Sequence, residues 1–528
     1  MPIERSPTTK SLLSEAAVHD NFRTAARSFV DLTETMLGPQ GMYKLVIPEE
    51  GESIVTRDCS RVLRTIEVDH PVGRLLYGVG NTQSSHYDDG VVTSVLLTAR
   101  LLTDCLETTI ETGIHPQIVR NGLEQARAIA VQTLEDAAFP IEPDPTDSHM
   151  RALAQSQART KLIDGAAFGP LITEVLTALA RDARPTEAGG LLLDTDRAHV
   201  IARTGSSRAQ TQRFDGILVQ KELLNRDRTS IRDARVATVD QKFYIETTRG
   251  EAETQRRAAP SSPEQLNAFH RAEDAVHDRF VRPLREAGVD VLVTRKGIDE
   301  RVSTALLREG ILTVRRAKPE NILESVAAAT GASVVGDVQD ISPTDIGYAG
   351  QVEELTFGPL SYTLIGECES TAATTVLTRG GTWTSAEEIE RGLEAAIGAT
   401  AAAVREPATV PGGGCSEMHI ARSLRWAGAE TAGREAIILE TIADTFETVV
   451  RTLATNVGLD DLDAVTTVRA RVPEEAAGVV DPSDGPARVD SVVDAGVIDS
   501  LAVKRAAVTA AFDATIHAIT IDEIVAVK

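Results

Sequence analysis

Apolar helices stand at both ends of this 528-residue chain, and a strand–helix alternation stands in its middle. Phe22, Ala25, Phe29, Leu32 and Met36 recur at threes and fours, which predicts a helix over His19 to Met36 that stops at the turn pair Gly38-Pro39. Tyr43 to Ile47 and Ser53 to Thr56 read as two strands around the turn Pro48 to Glu52. Val91 to Thr108 and Pro116 to Ala138 read as apolar helices. Centrally, Val289 to Val293, Ile311 to Val314 and Ala332 to Val335 read as strands separated by helices Asp299 to Arg308 and Pro319 to Thr330. Such alternation predicts partly parallel strands flanked by helices. The last third is helical again. Ser385-Ala386-Glu387-Glu388 has the form of a capping box ahead of the stripe Ile389, Leu393, Ala396, Ile397, Ala401 and Val404. A helix over Leu501 to Thr520 precedes a strand-like tail, Ile521 to Val527. Helical ends around an α/β centre predict one helical domain built from both termini, with other domains inserted in its middle.

Thr247 to Ser261 is polar with almost no apolar residue, and is expected to be exposed and mobile. After it, Ser262-Pro263-Glu264-Gln265 carries an N-cap serine, a first-turn proline and a capping-box glutamine, a helix start worth about 1 kcal/mol. Composition narrows the class. A 42% hydrophobic chain of this length can bury sizeable cores in two to four domains. No run of 18 apolar residues predicts a membrane span, and Met1 to Glu15 shows no secretory pattern. The four cysteines, Cys59, Cys105, Cys368 and Cys415, form no paired framework and no zinc spacing, which fits a reduced cytoplasm. The 78 acidic residues against 54 basic ones give −24, and only nine of the 54 are lysines. This acidic, arginine-rich balance is that of a salt-adapted cytoplasmic protein of the haloarchaeal kind. A GC-rich genome that favours arginine codons is the other source of it. The charge argues against nucleic acid as a partner, since that needs a basic footprint.

Three glycine turns stand at helix starts or strand ends: Leu37 to Gly41, Asp88-Asp89-Gly90, and Pro411 to Gly414. Glycine lets a backbone approach a phosphate and donate amide hydrogens from a helix N-terminus. An acid such as Asp89 beside a phosphate makes sense with Mg²⁺ between them, because hard cations take carboxylate oxygen. Asp58 is a further acid at a strand end. Each turn alone is also what an ordinary helix start looks like.

Taken in order, these segments resemble the group II chaperonins, the thermosome of archaea and the eukaryotic cytosolic chaperonin. The resemblance runs through Leu37 to Lys44, Val68-Asp69-His70-Pro71, Asp89-Gly90 with Thr93 to Leu102, and Gly113-Ile114-His115-Pro116. It continues through Gly216 to Glu222, Lys296-Gly297-Ile298-Asp299, Thr378 to Thr382, Pro411 to Gly414, Asp494 to Ile498 and Ile521 to Ile524. It implies an α+β multidomain fold in three parts. A mainly helical equatorial domain would take 1–140 and 400–528, and an intermediate domain 141–210 and 361–399. An α/β apical domain would take 211–360, with a helical protrusion at about 244–282. It further implies double rings, formed with itself or sister subunits, that bind unfolded protein clients and use ATP with Mg²⁺, and K⁺ as a further cation. The hairpin Tyr43 to Thr56 and the tail Ile521 to Val527 sit where the family pairs strands between neighbours, which free strand edges require. Gly38 and Pro39 match the phosphate turn, Gly90 and Thr93 the helix start, Gly413 the glycine run near the ribose, Asp499 the ribose-contacting acid, and Asp89 the metal ligand. Asp58 would activate water.

The match breaks at the chemistry. The family's Gly-Asp-Gly-Thr-Thr reads Asp88-Asp89-Gly90-Val91-Val92 here. Two hydroxyls are lost, each worth roughly 1.5–3 kcal/mol to a charged group, and Asp88 adds charge near the phosphates. Asn-Asp-Gly reads Arg57-Asp58-Cys59, where Arg57 either neutralises Asp58, reaches a phosphate or lies in solvent. Tyr43 stands where the family usually has an aspartate. The water-orienting aspartate reads Ala395, and Glu394 next to it should face about 100° away. Losing a general base costs about 10²–10⁴ in rate. His70 and His115 read as structural, and Cys59 and Cys415 as packing residues. The expected function is an ATP-binding chaperonin subunit with weakened hydrolysis. The alternative is a degenerate structural or client-holding subunit with little or no ATPase activity. A small-molecule phosphotransferase would leave the apical and terminal matches without a role.

Overall fold

The computed structural model describes residues 11–13, 15–48, 53–66, 71–142, 144–162, 165–224, 229–244, 274–369, 372–482, 485–521 and 524–526. The chain divides into two compact units. One is Met1–Thr177, Arg184–Leu193 and Glu387–Lys528; the other is Ala178–Ala183 and Asp194–Ala386. The first is the helical unit built from both ends of the sequence. At its centre lies the helix Val91–Cys105, of whose residues eleven are buried, including Val95, Leu97, Leu101 and Leu102. A helix apolar nearly all round belongs inside a bundle. Accordingly Glu15–Thr33, Pro71–Tyr87, Arg434–Asn456 and Leu501–Ile519 all pack against it. Phe446 and Phe512 stack with centroids 6.1 Å apart and join two of these helices. Each such buried side chain contributes about 1.5–3 kcal/mol. The Val91–Cys105 helix is shorter than expected, because its last turn widens into a π-turn at Leu106–Ile110.

Three antiparallel strands stitch the halves of this unit together: Ala408–Pro411 lies between Phe139–Pro140 and Ile498–Ser500. The predicted hairpin is present as Lys44–Val46 and Ile54–Thr56, with Leu45 paired to Val55. The tail strand Ile524–Ala526 pairs within the chain, antiparallel to Ser11–Leu13, a strand that the sequence reading missed. His115 accepts from the Gln117 amide and caps Pro116–Asp136, a structural role as expected. His70 lies outside the described residues.

Among the described residues, the second unit carries a mixed sheet of nine strands. Val291–Thr294 runs parallel to both Leu312–Arg315 and Ser230–Val239, and Val334–Val335 is parallel to Ser230–Val239, as the alternation predicts. Gly347–Phe357, Leu360–Gly366 and Gln212–Val219 continue it as antiparallel strands. Val236, Val291, Val293, Leu312, Val314 and Val326 form its core. Asp299 caps Glu300–Arg308 through the Arg301 amide. The capping box expected at Ser385 is not the helix start. The helix begins at Trp383, and the Thr382 hydroxyl accepts from the Ser385 amide, so Ser385 lies inside the first turn. A threonine cap without a reciprocal acid beats a serine with one, because the chain turns helical directly after Gly380-Gly381. The polar stretch Thr247 to Ser261 and the Ser262 cap lie outside the described residues.

Candidate functional site

Within the helical unit is a cavity of about 590 Å³. Gly38, Pro39, Asp58, Asp89, Gly90, Thr93, Ala395, Gly413 and Asp499 all line it. Every site residue expected from the sequence is thus brought to one place. Two helices open onto it, Val91–Cys105 behind Gly90 (φ 74) and Cys415–Glu430 behind Gly414 (φ 82), and no side chain caps either. Their first-turn amides point the positive end of each helix dipole into the cavity. Gly90 is required there: besides its left-handed backbone, a Cβ would lie 2.7 Å from Gln83 Nε2 and 2.9 Å from Val503 Cγ1. Gly413 (φ 58) has the Val479 carbonyl oxygen 2.5 Å from where a Cβ would be.

Asp89 forms the charged centre. Burial raises its carboxyl, but the Lys161 ammonium, 2.9 Å away, together with the Gly90 amide and the Gln157 side chain, holds it below the ordinary carboxylate range. Asp58 caps the helix Cys59–Thr65. Its Oδ1 accepts from the Ser60 amide at 2.9 Å and from the Ser60 hydroxyl at 2.8 Å. Deeper in, the Lys504 ammonium bridges Glu417 and Asp499, the latter at 3.2 Å. Eight acids and seven bases line the cavity, so it is nearly neutral in a chain of charge −24. That balance admits a polyphosphate carrying a divalent cation, which the rest of the surface would repel.

Arg57 lines the cavity and is held by main-chain carbonyls rather than lying in solvent. Its Nη2 donates to the carbonyl oxygens of Pro39 at 2.8 Å, Thr160 at 2.8 Å and Gly38 at 3.4 Å, and it hydrogen-bonds Tyr43. It therefore ties the Gly38-Pro39 turn to the residue before Lys161. Arg57→Ala is expected to lower hydrogen-exchange protection of the Gly38 to Gly41 amides about tenfold or more, the equivalent of one charged hydrogen bond of roughly 1.5–3 kcal/mol. Unchanged protection would show that Arg57 holds nothing.

Asp88 also borders the cavity, in a left-handed conformation (φ 52) that leads into Asp89-Gly90. Burial raises its carboxyl above the ordinary range, with Lys161 opposing. Glu394 lines the cavity as well, although helical geometry predicted another face, because the cavity wall wraps around this side of the helix and takes in both Glu394 and Ala395. Burial pushes the Cys59 and Cys415 thiols up to about 12, which leaves them unreactive packing groups as expected. The sequence reading missed Lys161, Lys504 and Glu417 as site residues. Lysine scarcity was the available signal, since two of only nine lysines meet here.

Among the described residues no three His, Cys, Asp or Glu side chains form a metal-holding group. The donors suit a cation held by one carboxylate and by its ligand's phosphates, the usual arrangement for Mg²⁺. Also among the described residues, no helix is long and apolar enough to cross a membrane.

A fold made of a helical unit from both termini, with a mixed-sheet unit inserted and a glycine-walled, acid-bearing cavity, defines a chaperonin. The TCP-1/cpn60 chaperonin family profile matches residues 29–528, and the chain belongs to that family. It is 31% identical to the thermosome subunit of Methanopyrus kandleri over 96% of this chain and 91% of that one. To thermosome subunit 3 of Haloferax volcanii it is 31% identical over 97% and 96%. To thermosome subunit alpha of Halobacterium salinarum it is 30% identical over 95% and 87%.

Proposed function

We propose that this chain is a thermosome-type chaperonin subunit that binds ATP with Mg²⁺ and hydrolyses it slowly. The observation that carries this reading is the convergence of the nine expected positions, from Gly38 to Asp499, on one cavity. The helix N-termini behind Gly90 and Gly414 receive phosphate oxygens, the Gly38-Pro39 turn closes over them, and Asp499 faces the ribose. Asp89 holds Mg²⁺, which supplies charge neutralisation at the phosphates. Asp58 orients water. Ala395 contributes no carboxylate, which is why turnover is slow. The same substitution favours the second reading, a subunit that holds clients or joins rings without hydrolysis.

The three-domain division, with equatorial 1–140 and 400–528, intermediate 141–210 and 361–399, and apical 211–360, belongs to this proposal. So do cytoplasmic location, adaptation to high salt, K⁺ as a second cation, unfolded proteins as clients, and rings formed with itself or sister subunits. The exposed Leu45, Ile47 and Val55 on the hairpin support pairing with a neighbour's strand edge.

A single-turnover ATPase assay in molar potassium chloride tests the reading. The native protein is expected to bind ATP and turn it over slowly, and Ala395→Asp to gain roughly tenfold or more in rate. Brisk native turnover would defeat the weakened-hydrolysis reading, and no nucleotide binding would defeat the whole of it.

A further inference from the structure

We propose that Glu394 is the proton acceptor for the attacking water in this cavity. The inference rests on the nucleotide-hydrolysis reading and adds a residue to it. The placement of Glu394 carries it. Glu394 lies on the helix Trp383–Arg405 and lines the cavity beside Ala395. One turn further along the same face is Gly398, where a Cβ would lie 2.4 Å from Asp88 Oδ2. The Asp88 side chain therefore lies against the helix at the only kind of residue that leaves it room. Its left-handed backbone leads the chain from there into Asp89-Gly90. Two carboxylates, Asp88 from the turn and Glu394 from the helix, thus line the same cavity, one turn of the helix apart.

Glu394 faces Glu390 and Arg391 on its own helix and Asp88 from the turn, while Lys161 and Arg64 act on Asp88 from the cavity side. Burial first, then Glu390 and Asp88, outweigh Arg391 and push the Glu394 carboxyl up to about 7. A carboxylate of that basicity takes a proton near neutral pH far better than an ordinary one. Asp58 has one oxygen, Oδ1, fixed by capping its helix, which holds its other oxygen in a set direction toward water. It orients; Glu394 accepts.

In the step, a lone pair of the water oxygen forms the new bond to the terminal phosphorus. The bond from that phosphorus to the bridging oxygen breaks, and its electron pair leaves with the nucleoside diphosphate. The proton of the water passes to a Glu394 carboxylate oxygen and returns to solvent after phosphate departs.

The test compares full-length native protein with Glu394→Gln and Glu394→Asp. A fluorescent ATP analogue measures affinity and single-turnover hydrolysis measures rate, both from pH 5.5 to about 8.5, which brackets a group titrating near neutrality. Glu394→Gln is expected to lose about 10²-fold in rate while its affinity stays within about threefold. The native rate is expected to rise as pH rises through about 7, where Glu394 ionises, and the Glu394→Gln rate to stay flat across that window. Glu394→Asp should retain the pH dependence at a lower rate, which also reports a folded cavity. Equal rates, equal pH profiles, or a parallel loss of affinity and rate would overturn the assignment. A native protein that binds ATP and never hydrolyses it would overturn the assignment and leave nucleotide binding standing. One that binds no ATP would overturn the parent reading instead.

Discussion

Asp89→Asn is expected to lower single-turnover hydrolysis by about 10³-fold, the largest effect of any single change in the cavity. The substitution keeps the shape of the side chain and removes one negative charge. Two consequences follow from that charge. The carboxylate that suits Mg²⁺ is gone, and the Lys161 ammonium, 2.9 Å away and mostly buried, loses its counter-charge. A lysine so released pulls directly on phosphate oxygens. Magnesium-free nucleotide affinity should therefore fall little or even rise, while Mg²⁺ dependence disappears. Titrating a fluorescent nucleotide with and without Mg²⁺ separates the two effects, and a hydrolysis rate within about threefold of native would show that Asp89 is not the metal ligand. The same pair has a stability signature. The folded carboxyl sits below its ordinary range, so the stabilisation is present above the unfolded value of about 3.9 and is lost as pH falls through the folded one.

Lys504→Met is expected to destabilise the helical unit by about 3–5 kcal/mol, read as an earlier urea transition. Lys504 bridges Glu417 and Asp499, and Glu417 is only 1% exposed. Removing the ammonium leaves that carboxylate buried without a counter-charge, and its Oε2 already has no hydrogen-bond partner. Burial alone would lower the Lys504 ammonium, but Glu417 and Asp499 hold it well above the ordinary lysine range. A raised cation stabilises fully below its unfolded value of about 10.4 and loses that contribution as pH rises through the folded one. The loss in Lys504→Met should therefore span the whole neutral range. Adding Glu417→Leu removes the stranded charge and should recover most of the stability, since replacing both partners of a buried pair is often neutral. A single variant that unfolds with the native midpoint would refute the buried-pair account.

Local chemistry was the legible part of this molecule. Asp89-Gly90, Pro411 to Gly414 and the helix Val91–Cys105 announce themselves through residue types whose neighbours in sequence are also their neighbours in space. The parallel pairing of Val291–Thr294 with Leu312–Arg315 was legible for the same reason, since a short helix connects them. What stayed hidden depends on long-range partners. Lys161, at the end of the helix Ser148–Lys161, carries no signal until Asp89, from the turn before Val91–Cys105, is placed beside it. Lys504 finds Glu417 only when the first turns of Leu501–Ile519 and Cys415–Glu430 are brought together. Arg57 read as a neighbour of Asp58 because the two adjoin in sequence, yet its reach carries it to three carbonyls, one of them Thr160. The capping box at Ser385 failed at short range, where Thr382 offered a competing cap three residues earlier.

The helical unit closes only when Arg434–Asn456 and Leu501–Ile519 reach Val91–Cys105. During vectorial synthesis the residues between Cys105 and Arg434, roughly 330 of them, must first leave the ribosome. At about 5–20 residues per second that is a delay of about 16–66 s, during which the faces of Val91–Cys105 that Arg434–Asn456 and Leu501–Ile519 will cover stand open. The nascent chain therefore spends that interval as a sticky, half-built protein, in need of the same kind of protection that its family gives to others.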